Sequence, residues 1–181
     1  MEKMNDKIGW MAKWRIDKFR DPTGIIAEKM QRGMSTEAAL ARYGESFVCA
    51  EKFGANLALE EGLQELIDLI CGLGSPTKWD STNARLGVGD SNTAAAASQT
   101  GLQASTNKTF KAMDTSYPAR TDKTVEWRAT FGSSDANYAW EEYTVVNASD
   151  DSGKNLNRKV SSKGTKVSGE TWTLSLQITF S

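Results

Sequence analysis

The residues of this 181-residue chain whose types and spacing could do chemistry are few. They are the adjacent glutamates Glu141-Glu142, the aspartates Asp90, Asp114, Asp135, Asp150 and Asp151, and the glycine-rich stretch Gly87-Val88-Gly89-Asp90-Ser91-Asn92-Thr93. Each meets an objection. Adjacent residues of a strand face opposite sides, so Glu141 and Glu142 do not form a carboxylate pair for acid–base work. The aspartates fall at predicted turns, where the side chain bonds its own backbone. Asp150-Asp151-Ser152-Gly153 lacks the alternating ligands and later glutamate of an EF-hand. The glycine-rich stretch has no Gly-Lys-Ser/Thr ending and no third glycine at dinucleotide-binding spacing. It also places Asp90 where a phosphate would lie, so it reads as a tight turn.

The chain contains no histidine, which removes the commonest general base and the commonest metal ligand and forbids a Ser-His-Asp triad. Cys49 and Cys71 lack zinc-ligand spacing and are expected to be buried thiols on either side of an apolar helix, with a disulfide as the alternative; reduced cysteines fit assembly in a cytoplasm. No catalytic, cofactor-binding or metal-ligating residue is assigned, and the chain is not expected to be an enzyme. With 22 basic and 23 acidic residues the net charge is −1, so the electrostatic footprint of a nucleic-acid partner is missing. The segment Met1 to Lys7 precedes no long apolar run, which argues against a signal peptide. The best apolar stretch, Leu63 to Leu73, is far short of the ~20 residues of a membrane span.

The elements that would have to position any site divide near residue 75. The last eleven residues, Thr171 to Ser181, alternate polar and apolar without error, the mark of a strand with one wet and one dry face. Ala84-Leu86-Val88, Lys108 to Met113, Val125-Trp127-Ala129-Phe131, Trp140 through Tyr143 and Val145, and Leu156-Arg158-Val160 add five more strands between polar turns. Together they predict a mainly β fold, an antiparallel sandwich or barrel spanning 76–181. Trp127, Trp140 and Trp172 would make a carbohydrate platform if exposed, but each lies on an apolar face and is expected in the core. Arg128 and Arg158 occupy polar-facing positions suited to surface ion pairs.

Ahead of this domain, residues 56–75 are predicted to form one packed helix. Asn56 serves as N-cap, Gly72 as stop, and Leu59, Leu63, Leu66, Ile67 and Ile70 form one apolar face. Burying these five would contribute on the order of 10 kcal/mol before entropy. Residues 1–55 read as an N-terminal arm with two short helices, Ile25 to Met34 and Thr36 to Tyr43, the second capped by Ser35 or Thr36. The stretch Ile8 to Arg20 mixes aromatics with bases. It fits a docked strand or helix, or an arm whose Trp10, Met11, Trp14, Ile16 and Phe19 anchor on a partner.

The block Asn83-Ala84-Arg85-Leu86-Gly87-Val88-Gly89-Asp90-Ser91-Asn92-Thr93-Ala94, continuing to Gln99-Thr100-Gly101-Leu102-Gln103, resembles a family of structural proteins of tailed bacteriophages. Further matches follow in order: Lys111-Ala112-Met113-Asp114 with Tyr117-Pro118; Trp127 to Gly132; Ala136 to Glu142; Leu156 to Val160; and Gly164-Thr165-Lys166 with Gly169-Glu170-Thr171-Trp172. The resemblance covers roughly residues 53–181, and residues 21–50 look like an insertion. Members of the family are variously labelled virion structural, head decoration or tail-fibre-like proteins, and none of their residues is carried over as catalytic. The resemblance implies a virion component, foremost a capsid decoration (cement) protein on the outer surface of the capsid. Such a protein bridges and stabilises major capsid subunits, self-associates (trimers included) and touches neither nucleic acid nor membrane directly. A tail or collar fibre component for host attachment is the alternative.

Overall fold

The computed structural model describes residues 9–181, so the reading of Met1 to Lys7 lies outside the described residues. Two antiparallel five-stranded sheets pack face to face as a β-sandwich. The first runs β2 (Phe47–Gly54), β1 (Trp10–Arg20), β10 (Glu170–Phe180), β7 (Thr124–Phe131), β6 (Ala119–Thr121). The second runs β3 (Leu57–Ala58), β9 (Asn157–Val160), β8 (Glu142–Val146), β4 (Arg85–Gly89), β5 (Lys108–Ala112). Three helices decorate them: α1 (Ile25–Gln31), α2 (Thr36–Tyr43) and α3 (Glu60–Cys71).

The alternation read in the last strand is what builds the core. Trp172, Leu174, Leu176 and Ile178 point inward from β10, and the register sets Leu176 between Trp14 and Trp127 and Leu174 between Ile16 and Ala129. The second sheet contributes Leu86, Val88, Tyr143 and Val145, and Trp140 closes the core edge-on against Phe131 and Trp172. Trp127, Trp140 and Trp172 are all buried, so none forms a platform.

Within the stretch read as an arm, residues 10–54 are part of the folded body. β1 pairs with β10 over eleven residues and with β2 on its other side, so it is an interior strand of the sandwich. The sandwich therefore takes in β1 and β2 as well as strands from 76–181. Trp14 and Ile16 face the core between the sheets, while Phe19, on the opposite face of β1, heads a second core with Ile26, Met30 and Ala39 of α1 and α2. The mixture of aromatics and bases that suggested an anchoring arm is the two-faced pattern of this strand: Trp10, Ala12, Trp14 and Ile16 inward, Met11, Lys13 and Arg15 outward. Lys18 blurs the pattern because its ammonium lies 4.0 Å over the Trp172 ring and pairs with Glu51, so a cation occupies an inward position.

Two further expectations are corrected. Cys49 is half-buried and Cys71 exposed, both as free thiols. Gly87 and Gly89 lie within β4 rather than in a turn, because side chains cross over them: a Cβ at Gly87 would meet Phe110 and Thr144, and one at Gly89 would meet the Glu142 carboxylate.

Candidate interaction surface

Arg128 and Arg158, expected as surface ion pairs, are both fully buried, and each clamps a chain excursion onto the outer face of a sheet. Arg128 bonds Asp114 through Nε at 2.9 Å and donates Nη2 to the carbonyls of Met30 (3.0 Å) and Met34 (2.9 Å), locking the α1–α2 excursion to β7. Asp114 in turn accepts from the Thr130 amide and hydroxyl. Burial pushes the Asp114 carboxyl up, against the pull of Arg128 and Thr130. On the other sheet, Arg158 Nε donates to Glu142 at 2.7 Å and Nη1 to the Thr93 carbonyl and Gln99 Oε1, while Glu142 accepts the amides of Gln103 and Ala104. The segment 90–107 is thereby pinned across the sheet. Buried pairs supplied with this many hydrogen bonds are costly to break from one side. Glu141, facing the other way, bonds only the exposed Ser162 hydroxyl, so the two glutamates do not cooperate.

The half of the first sheet's outer face that α1 and α2 leave open forms a polar cleft of about 550 Å³. Lys13, Arg15, Ser175, Gln177 and Glu126 floor it, and Glu37 and Tyr117 border it. Arg15 forks onto Asp17, which holds the guanidinium pKa up, and Gln177 donates to Glu126 at 2.9 Å. Among the described residues no group of three or more His, Cys, Asp or Glu side chains could hold a metal.

The feature that departs most from a self-contained domain is α3. The sequence pattern put Leu59, Leu63, Leu66, Ile67 and Ile70 against the sandwich, but only Leu59, the residue before the helix, is fully buried. Leu63 is 42%, Ile67 55% and Ile70 76% exposed, and Leu73, just past the αL stop at Gly72, is 54% exposed. The helix sits down on its other side. Gly62 packs where a Cβ would run into the backbone of Asn155 and Leu156. Glu61 accepts from the Asn155 amide at 2.9 Å. Glu65 accepts from the Thr77 amide at 2.6 Å and from Asn147 Nδ2 at 3.1 Å. Leu69 adds a partly buried contact to the main core. Glu61 and Glu65 thus face the body, and Leu63, Ile67 and Ile70 face out. The predicted cap is also displaced: Asn56 lies before β3, and no side chain caps α3.

Of the five proposed anchors, Trp14, Ile16 and Phe19 are spent inside this chain's own cores and have no surface to offer a partner. Trp10 is half-buried, edge-on to Phe180, and Met11 alone is well exposed. Among the described residues, the exposed large hydrophobics include Met11, Ile25, Val48, Leu57 and Val167, but four of the nine, Leu63, Ile67, Ile70 and Leu73, lie together on α3 and its end, the segment read as most securely packed. No family model, curated protein or solved structure matches the chain.

Proposed function

We propose that this chain is a structural protein of a tailed-phage virion, a capsid decoration protein that attaches to the major capsid protein and stabilises its neighbours. The observation that carries the reading is the outward aliphatic face of α3 on a sandwich whose cores are otherwise closed. Contiguous exposed apolar side chains on a well-packed domain mark an interaction surface, and Leu63, Ile67, Ile70 and Leu73 supply one. The resemblance of residues 53–181 to phage structural proteins supports the virion setting. The two buried clamps suit a part that must hold its shape against the outward push of packaged DNA. Attachment is assigned to α3 rather than to residues 10–20, because β1 is an interior strand. The fibre alternative would draw on aromatic side chains in the loops 132–137 and 147–153, and those loops contain none.

Mass spectrometry of purified particles, followed by immunogold microscopy with antibody raised against the folded domain, tests this reading. The chain is expected in the particles, with gold spread over the head. Gold confined to the tail or neck would move the protein to the fibre class, and absence from particles would overturn the virion reading.

A further inference from the structure

Resting on that reading, we propose that the outward face of α3 receives an apolar helical segment bordered by lysine or arginine, carried by a protein other than this chain. Three observations lead there.

The first is the shape of the face. Leu63, Ile67 and Ile70, spaced by four and three residues, form one stripe along the helix, which Leu66 flanks and Leu73 extends. This is the spacing at which helices mesh side by side. A helix of 12 residues is ~18 Å long, so the complementary segment is about three turns.

The second is charge. α3 carries Glu60, Glu61, Glu65 and Asp68 and no lysine or arginine. Its last turn lacks the basic residue that would offset the negative end of the helix dipole. Glu61 and Glu65 are turned inward, but Glu60 is exposed and Asp68 half-buried. Among the described residues neither Glu60 nor Asp68 is in an ion pair. A partner helix with basic flanks matches this border, and one with acidic flanks is repelled by it.

The third is that the face does not complement itself. Two copies of α3 laid on one another would bring Glu60 and Asp68 of each beside the stripe and no lysine or arginine from either helix, so a second copy does not supply the basic border. Charge therefore argues against a second copy as the occupant. Gly62 and the two inward glutamates hold the ridge in place before any partner arrives, so little ordering is left to be done on binding.

The test uses the full chain and two synthetic amphipathic helical peptides with the same leucine stripe, one flanked by lysine and one by glutamate. Fluorescence anisotropy reads their binding, and sedimentation reads the state of the chain alone. The lysine-flanked peptide is expected to bind saturably, to weaken as salt is raised, and to bind at least roughly tenfold more tightly than the glutamate-flanked one. Ile67→Lys/Ile70→Lys should abolish binding while keeping the wild-type circular dichroism and urea midpoint, since both side chains point outward, lysine suits the negative end of the helix, and the added cations repel the lysine-flanked peptide. Equal binding of the two peptides, or binding unchanged by the double variant, would overturn the proposal. So would self-association of the chain that Ile70→Lys abolishes, which would make a second copy the occupant. Failure here would leave the virion reading standing if the chain is found in particles, so the two fail separately.

Discussion

The α1–α2 excursion lays Ile26, Ala27, Met30 and Ala39 down onto the first sheet, whereas α3 turns Glu61 and Glu65 toward the β8–β9 end of the second and leaves Leu63, Ile67 and Ile70 in solvent. Both are short helices docked on the same sandwich. The first is held by apolar burial around Phe19 together with the Arg128–Asp114 clamp. The second is held by carboxylate-to-backbone hydrogen bonds and the close approach allowed by Gly62. The difference teaches that an amphipathic helix can dock by its polar side when the surface beneath it presents free amides. Its apolar side is then available for a partner. One helical region serves folding; the other is the one proposed to serve assembly.

The contrast can be broken most forcefully at the clamp. Arg128→Met leaves Asp114 buried without its partner and strips the Met30 and Met34 carbonyls of a donor, so it should cost about 3–5 kcal/mol. A lower urea midpoint, with loss of amide protection first in α1 and α2, is the expected result. At the other helix, Gly62→Ala pushes a methyl into the Asn155–Leu156 backbone and should cost roughly 1–3 kcal/mol. Hydrogen exchange should then report faster opening of α3 while α1 and α2 stay protected. If Gly62→Ala is neutral, the close docking of α3 does not hold the helix.

A subtler effect concerns Lys166, whose ammonium is buried against the Gly132 carbonyl and Asn137 Oδ1 and whose pKa desolvation pushes down to about 8. Below pH 8 both folded and unfolded chains carry this proton, and the burial penalty is present in full. Between about 8 and the ordinary 10.5 the unfolded chain holds the proton while the folded one releases it, so stability rises with pH there. Urea midpoints of wild type and Lys166→Met across that window should diverge in favour of wild type as pH rises, and parallel curves would refute the assignment. The smallest effect is expected on the outward face itself. Ile67→Ala and Ile70→Ala should each shift stability by no more than about 0.5 kcal/mol, in contrast to the 2–5 kcal/mol typical of buried aliphatic truncations. A loss in the buried range would mean that this face is core.

Much of the sandwich was legible in the sequence because period-two alternation is a local signal. β10, β7 and β4 follow directly from Trp172-Leu174-Leu176-Ile178, Trp127-Ala129-Phe131 and Leu86-Val88. β1 was only half legible, since Lys18 over Trp172 puts a charge where the pattern asks for an apolar residue. The Arg158 and Arg128 clamps were not legible. Their carboxylate partners lie 16 and 14 residues away in sequence, and whether those polar faces are covered depends on where remote excursions land. For α3 the periodicity revealed the helix but not which side faces the body. That choice is made by Asn155, Thr77 and Asn147, which offer donors to Glu61 and Glu65, and by the gap that only Gly62 fills.

The most direct test of the claim that α3 is built for assembly is the copy number of the Ile67→Lys/Ile70→Lys chain in purified particles. It would be quantified by mass spectrometry beside the wild-type chain, once both are shown to unfold at the same urea concentration. The account predicts a folded variant that is strongly depleted from particles. Incorporation at the wild-type level would contradict it.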